Sequence, residues 1–395
     1  MRLSRGMKHI TNKQNNIMQQ RKNGMIDWNY QSKLSASSGY EDVLDKLKSY
    51  TKEEYIKSTP ERKEEIIQEV FNIYRAKNIF PITYYNDEGI KTEIQSCINK
   101  KIEWDGDVLN IKFNQGSSLC RFMFPNLYEV ECKGVKNNSP YYKFYDDHKL
   151  YRAIKFCLDH KSVACPVVPT AIKDGLEMLG GNVATNFSPM KAKALYEKYC
   201  PANGIIYDYS CGFGGRMLGA LTSANNYKYV GVEPCIETFN NLNRLGKYIE
   251  QTTHREKIFK IVCKGSEDLR LNANTIDFAF SSPPYFNLEK YSDENTQCYN
   301  KFPELDEWFV GYVQPTIENI YHMLKPNRYY AVNIADFKLG NKDIEFVNQW
   351  IDISLNTGFT FVKEIPMKLQ TRRGQGHNDN TFKKQEGIYL FKKLD

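Results

Sequence analysis

Four consecutive residues, Ser282-Pro283-Pro284-Tyr285, carry the most telling chemistry in this chain. Two prolines in a row fix the backbone and remove two N–H donors. Their carbonyl oxygens are left pointing outward with no ladder partner. A small hydroxyl precedes them and an aromatic face follows. Such a group can accept hydrogen bonds from an amino group while stacking on the flat ring that bears it. Taken alone, the tetrapeptide fits a strand terminator equally well. Its surroundings change that balance.

A second constellation is Asp208-Tyr209-Ser210-Cys211-Gly212-Phe213-Gly214-Gly215-Arg216. Glycines here allow positive φ and close approach of a ligand to the backbone. The spacing is neither the dinucleotide pattern G-x-G-x-x-G nor a phosphate loop ending in Gly-Lys-Ser/Thr. Glu233 follows 25 residues after Asp208, placed to accept hydrogen bonds from ribose hydroxyls. Gly265-Ser266-Glu267-Asp268 comes next and is suited to hold an adenine edge.

These pieces need strands to position them. Apolar runs predict strands at Ile205–Asp208, Tyr227–Val232, Phe259–Cys263, Ile276–Phe280, Tyr329–Ile334, Phe359–Ile365 and Gly387–Phe391, with helical segments between most of them. Alternation of this kind predicts an α/β fold, a doubly wound seven-stranded mostly parallel sheet with an antiparallel edge. The glycine segment follows the first strand, Glu233 the second, Glu267 the third and Ser282 the fourth. Open α/β sheets bind ligands outside the carboxyl ends of their strands, and each candidate falls there. A helix is predicted over Pro189–Tyr199.

The N-terminal part reads differently. Residues 1 to about 35 are polar and basic, with six Lys or Arg and no acid in the first 26, and read as a flexible basic arm. They lack the apolar core of a secretory signal. Residues 36–180 are expected to form an N-terminal α+β domain, and residues 181–395 the ligand-binding sheet. Thr59-Pro60 opens a helix whose apolar face is Ile66, Ile67, Val70, Phe71 and Tyr74. Strand-like pieces are read at Pro81–Tyr85, Val108–Phe113 and Leu119–Phe124. Dense aromatics from Phe122 to Tyr145, interleaved with lysine, suit either a small core or stacking on bases.

The 395 residues are 41% hydrophobic and 26% charged, with no run near the roughly 18 apolar residues a membrane helix needs. Ten cysteines without a C-x-x-C pair predict reduced thiols in a cytoplasmic protein, with neither a disulfide framework nor a metal site. A net charge of +7 is compatible with a polyanionic partner.

With Phe187-Ser188-Pro189 before the first strand and Leu324-Lys325-Pro326 before the fifth, these motifs are collectively similar to those of class I S-adenosylmethionine-dependent methyltransferases. The likeness is to the DNA amino-methyltransferases that make N6-methyladenine or N4-methylcytosine, and it covers residues 185 to 395. Cys211-Gly212-Phe213-Gly214 departs from the commoner F-x-G-x-G. The resemblance implies S-adenosylmethionine as cofactor, held by Phe187, Pro189, Asp208, Ser210, Gly212, Gly214, Glu233 and Glu267. It implies catalysis by Ser282, Pro283, Pro284 and Tyr285, with Tyr285 and Phe286 stacking on a base flipped out of double-stranded DNA. Adenine and cytosine both remain open, as do the target sequence, the oligomeric state and any link to a restriction-modification pair. By elimination, residues 36–180 would select the target. Arg372, Arg373 and Lys383, beside Lys368 and Lys384, are placed in a basic loop suited to DNA phosphates. RNA or protein amide methyltransferases use related motifs, though with Asp or Asn where this chain has Ser282. A non-catalytic nucleic-acid-binding subunit is the other alternative.

Overall fold

A computed structural model describes residues 39–132, 138–180, 183–367 and 386–395. In chain order its strands are β1 (Glu131–Cys132), β2 (Ile205–Asp208), β3 (Lys228–Val232), β4 (Phe259–Val262), β5 (Ile276–Ser281) and β6 (Glu289–Lys290). They continue with β7 (Leu324–Ile334), β8 (Phe337–Leu339), β9 (Lys342–Ile344), β10 (Phe359–Pro366) and β11 (Gly387–Lys393). Seven form one sheet in the order β10-β11-β7-β5-β2-β3-β4. The pairs β2–β3, β3–β4, β2–β5 and β5–β7 are parallel. β11 runs antiparallel to both β7 and β10. This is a doubly wound, mostly parallel sheet with the antiparallel edge that the sequence predicts.

β5 shows why the sheet forms. All six of its residues are buried, since β2 and β7 flank it and helices cover both faces. Buried parallel strands read as nearly continuous apolar runs for this reason. Its one charge, Asp277, is satisfied by the Ile205 N–H at 3.0 Å and Lys325 Nζ at 2.8 Å. β7 begins five residues before the predicted Tyr329, because Leu324 already pairs with Ile276. The intervening stretch breaks register and passes through Asn327 at φ 59°, which makes it a bulge within the strand.

The winding fixes the site. From β2 the chain steps outward to β3 and β4, then returns to the other side of β2 as β5 and continues to β7. The direction reverses between β2 and β5, which opens a crevice at their carboxyl ends. The glycine segment leaves β2 and the Ser-Pro-Pro-Tyr segment leaves β5, so both line that crevice. One face of the sheet is packed by helix Pro189–Tyr199 and by Leu218, Leu242 and Leu245. The other is packed by Trp308, Ile317, Phe346 and Trp350.

Helix Pro189–Tyr199 is present with the predicted bounds, with Ser188 Oγ accepting from the Lys191 N–H at its start. The Thr59-Pro60 helix runs Pro60–Lys77. The three strand-like pieces of the N-terminal part are not strands. Pro81–Tyr85 is irregular, and Val108–Phe113 makes a single bridge, Leu109 to Met367. Leu119–Phe124 falls largely in helix Ser117–Met123. Leu119, Cys120, Met123 and Phe124 are all buried. Their i, i+1, i+4, i+5 spacing is helical, and apolar density alone hides that period. Apart from β1, the described residues before Gly180 are helical or irregular, not α+β.

The core division also differs from a boundary at residue 180. Ile90, Ile94, Leu119, Met123 and Phe124 belong to the same core as Leu218 and Phe280. Tyr40 to Ile82, with Phe144 to Leu176, form a separate helical core. The aromatics Phe124, Tyr128 and Phe144 are buried within 1% exposure, so they pack cores and do not face a base.

Part of the basic excess is spent inside the molecule. Lys193 Nζ donates to the Cys97 and Lys100 carbonyls at 2.9 and 2.8 Å, closing helix Asp87–Asn99. Lys393 does the same for the Tyr321 and Leu324 carbonyls, and Lys143 for Leu176 and Gly180. A cation at a helix carboxyl end meets orphan carbonyls and the dipole together. These charges are therefore not available to a polyanion. No described helix is long and apolar enough to cross a membrane.

Candidate active site

Asp208 ends β2 and is fully buried. Its Oδ2 accepts from Arg216 Nε at 2.7 Å and from the Tyr229 hydroxyl at 2.5 Å. Its Oδ1 accepts from Ser281 Oγ at 2.7 Å and the Ser210 N–H at 3.3 Å. A carboxylate has about four acceptor sites, and all four are taken. Asp208 thus anchors the glycine segment to β3, to β5 and to the helix that follows, and has no free lone pair for a ligand. This corrects its reading as a cofactor contact.

Glu233 sits just past β3, 8% exposed. Its Oε2 accepts from the Gly212 N–H and its Oε1 from the Cys235 N–H, both at 3.0 Å. One lone pair on each oxygen remains for a ligand. Burial pushes its carboxyl up to about 7, against the pull of those two N–H donors. Gly212 has φ 55° and its crevice side is open, since a Cβ there would meet nothing nearer than 3.9 Å.

Gly214 differs. At φ 76° it caps helix Gly215–Leu221, and a Cβ would fall 2.6 Å from the Phe124 ring and 2.9 Å from Leu245. Gly214 is therefore required for packing and not for ligand contact. Gly214→Ala is expected to destabilise the protein by roughly 2–4 kcal/mol from overpacking plus left-handed strain. Gly212→Ala should lose only about 1–2 kcal/mol while weakening ligand binding. Urea denaturation beside ligand titration separates them, and equal stability losses would contradict this division.

On the β5 side, Ser281 Oγ is tied to Asp208 and lies 3.2 Å from the Ser210 carbonyl. Ser282, one residue on, is half-buried, and its Oγ makes no hydrogen bond among the described residues. The Pro283 and Pro284 carbonyls likewise accept no described hydrogen bond. Alternation along the end of β5 explains the split, one hydroxyl facing the Asp208 anchor and the next facing away from it. Tyr285 is half-buried, its ring fixed edge-on against Phe337 at 5.9 Å and Phe346 at 5.6 Å. Its hydroxyl is buried without an aligned partner, though the Ala335 backbone lies within electrostatic reach.

Phe286 is 3% exposed and packs on Trp308 at 5.8 Å. It is a core residue, which corrects its assignment as a stacking partner. Its backbone is left-handed at φ 51°, which turns the chain away from the motif.

Beyond β4, Ser266–Asp268 forms a short turn held by Asn319 Nδ2 on the Ser266 and Glu267 carbonyls. The Glu267 side chain is 3% exposed and pairs with Lys301 Nζ at 2.5 Å through Oε1. Its Oε2 is buried with no hydrogen-bond partner among the described residues. Burial raises its carboxyl, and Lys301 opposes that. The Tyr312 hydroxyl lies 3.1 Å from Ser210 Oγ, and Ser266 Oγ lies 2.8 Å from Thr316 Oγ1.

Gly212, Glu233, Glu267, Ser210, Ser282, Pro283 and Tyr285 thus gather around the crevice. Phe187 lies beside it, its ring edge-on to Phe280 at 5.1 Å and its carbonyl against Gly215. Pro189 is buried with its carbonyl against Gly219 and presents no polar group to the crevice, so its role is packing. Arg372, Arg373 and Lys383 lie outside the described residues, as does the arm of residues 1–35. Pro366 pairs with Gly387 and Gly387 with Ile334, so the described ends of that basic segment stand at the carboxyl end of β5 and β7. Sequence reasoning missed Arg216, Tyr229, Ser281, Lys301 and Tyr312. Arg216 closes the quoted glycine segment and Ser281 adjoins Ser282, so both were within reach. The others come from distant segments.

No family model matches the chain, and no curated protein matches it in sequence. Among solved structures, the 4+2 cyclase SpnF is 13% identical, with a TM-score of 0.34 over 45% of this chain and 59% of that one. A TehB-like SAM-dependent methyltransferase from Corynebacterium glutamicum is 12% identical, with a TM-score of 0.34 over 53% of this chain and 90% of that one. Geranyl diphosphate C-methyltransferase from Streptomyces coelicolor is 11% identical, with a TM-score of 0.37 over 52% of this chain and 78% of that one. Likeness this distant leaves ligand and substrate to be argued from the site.

Proposed function

We propose that this chain transfers a methyl group from S-adenosylmethionine to the exocyclic amine of a nucleic-acid base, adenine N6 or cytosine N4, in DNA. One observation carries the reading. Ser282 Oγ and the Pro283 carbonyl, which accept no hydrogen bond among the described residues, follow the carboxyl end of β5, beside the ends of β2 and β3 that carry Gly212 and Glu233.

The residues fit the cofactor. Glu233 has acceptor capacity left for ribose hydroxyls. The buried, unpartnered Oε2 of Glu267 suits the amine of an adenine. The open side of Gly212 admits a ligand against the backbone. Bound there, the cofactor supplies a sulfonium methyl that is already activated, so the protein contributes position and electrostatics.

An aromatic exocyclic amine is a weak nucleophile because its lone pair is delocalised into the ring. Ser282 Oγ and the Pro283 carbonyl would accept its two N–H bonds and draw the nitrogen toward sp³ geometry. The lone pair then points at the methyl group for in-line displacement. Tyr285, fixed by Phe337 and Phe346, would stack on the base. A duplex base must be extruded to reach such a pocket.

The same reading assigns target selection to the N-terminal part. Its residues adjoin the machinery, since Phe124 packs on Gly214, Asn126 Nδ2 bonds Thr238 Oγ1 at 2.8 Å, and β1 pairs with β6 just past Tyr285. Tritiated methyl transfer to DNA, RNA and protein acceptors, followed by base analysis, tests the function. Label in DNA at N6 or N4 is expected. Label only in RNA or protein moves the substrate, and tight cofactor binding without transfer to any acceptor makes the chain a binding subunit.

Glu233 adds a pH signature. Ribose hydroxyls need the ionised carboxylate, and ionisation is centred on about pH 7. Cofactor affinity is expected to rise about tenfold per pH unit up to that point and then level off. The stability effect has the opposite sense. A folded value raised from 4.5 means that Glu233 stabilises the fold fully at low pH, and that this is lost as pH climbs through about 7. Calorimetric titration of the parent and Glu233→Gln across this range checks it. A flat parental profile would remove Glu233 as the ribose acceptor.

A further inference from the structure

The segment that follows Ser-Pro-Pro-Tyr does not drift into solvent. It is laced across the exits of β3 and β4, the two strands whose ends form the cofactor side of the cleft. Glu294 accepts from the Ile236 N–H with both carboxylate oxygens at 3.2 Å, at the start of helix Ile236–Thr253. Thr296 Oγ1 donates to the Pro234 carbonyl at 3.0 Å, and Asn300 Nδ2 ties back to the Glu294 carbonyl at 2.8 Å. The segment ends at Lys301, whose Nζ lies 2.5 Å from Glu267 Oε1 and 2.7 Å from Asp268 Oδ2.

The two ion pairs of Lys301 are not alike. Asp268 is 53% exposed, and a pair of that kind contributes little. Glu267 is 3% exposed and would be a buried, uncompensated carboxylate without Lys301. Lys301 also fixes which oxygen is used. With Oε1 on Lys301, Oε2 is buried beside Gly265 and has no hydrogen-bond partner among the described residues. That leaves one carboxylate oxygen free to accept from a donor on a ligand.

We propose that Lys301 is the positioning residue of the cofactor cleft, holding Glu267 with one carboxylate oxygen free and fastening the segment behind the Ser-Pro-Pro-Tyr pocket to the end that receives adenine. The inference rests on the methyltransferase reading above. It adds that one lysine joins the two halves of the site, so cofactor occupancy and the order of the amine pocket are linked. The groups facing Glu267 are Lys301 and Asp268, together with Tyr207, Tyr312 and Cys298 from the packed core. Among them Lys301 is the cation, and only its removal drives the Glu267 carboxyl further upward.

The full chain is titrated calorimetrically with S-adenosylhomocysteine, as parent, Lys301→Met and Lys301→Arg, from about pH 6 to about pH 9. Lys301→Met is expected to bind roughly tenfold more weakly near neutral pH. Its affinity should keep rising with pH where the parental curve has levelled, because Glu267 now ionises later. Lys301→Arg should restore the parental profile. Parallel profiles for parent and Lys301→Met, or a folded Lys301→Arg as impaired as Lys301→Met, would overturn the proposal. A ligand-free arm keeps the two readings apart. Lys301→Met should lose thermal stability relative to the parent increasingly as pH rises, and adding Glu267→Gln should abolish that trend. If the parent does not bind the nucleoside, the methyltransferase reading falls, and this arm alone decides whether Lys301 holds Glu267. No trend there would overturn the pairing.

Discussion

Asp208→Asn is expected to unfold the carboxyl end of β2, not merely to weaken a ligand. The substitution keeps the shape of the side chain and removes its charge. Arg216, 5% exposed at its side chain, is then left as a buried cation without its counterion. Breaking a buried pair in this way costs about 3–5 kcal/mol. The Tyr229 and Ser281 hydroxyls also lose a charged acceptor, which adds to the loss because both are buried. Adding Arg216→Met removes the orphaned charge and should recover more than half of the lost stability, the signature of coupled neighbours. Chemical denaturation of the two single variants and the double variant measures this. A stable Asp208→Asn protein that has lost only cofactor affinity would return Asp208 to the ligand-contacting role first read from its position.

That first reading shows where the sequence stops informing. Six of the seven sheet strands start and stop within two residues of their predicted bounds, because the parallel strands announce themselves as apolar runs and the antiparallel pair is bounded by Gly358 and Gly387. The order of the site pieces was legible for the same reason, since each candidate follows its strand directly. The use of each side chain was not. Asp208 stands where a ligand contact was expected, but its partners Tyr229 and Ser281 come from 21 and 73 residues away. Phe286 is aromatic and next to Tyr285, but Trp308, 22 residues on, takes it into the core. Glu267 was placed by its position after the third strand, but its buried side chain pairs with Lys301 from 34 residues away. In the N-terminal part, Leu119 to Phe124 satisfies a strand by composition and a helix by spacing, and tertiary packing beside Gly116 chose the helix. Local pattern carries the fold. Long-range satisfaction of buried polar groups carries the roles.

On the proposed function, Ser282 and Tyr285 divide the chemistry between catalysis and capture, and their variants should divide accordingly. Ser282→Ala removes an acceptor that makes no described bond in the folded protein, and the two prolines keep the turn. Stability and cofactor affinity should therefore stay near parental, while turnover falls about a hundredfold, as when one preorganised group serving a transition state is lost. Tyr285→Ala deletes a base-stacking face, weakening DNA capture by about 1–3 kcal/mol. It also empties space beside Phe337 and Phe346, so its melting temperature should fall too, and alone it cannot separate stacking from packing. Tyr285→Phe does separate them. It keeps the ring and removes a buried hydroxyl that has no aligned partner, so stability should hold or improve slightly and methyl transfer should persist. If Tyr285→Phe instead loses transfer while remaining folded, the hydroxyl acts on the substrate and stacking is not the main contribution. A stable Ser282→Ala with full transfer would leave the Pro283 carbonyl as the sole amine acceptor and remove Ser282 from the mechanism. Single-turnover transfer of a tritiated methyl group, measured beside thermal unfolding for all three variants, distinguishes these outcomes.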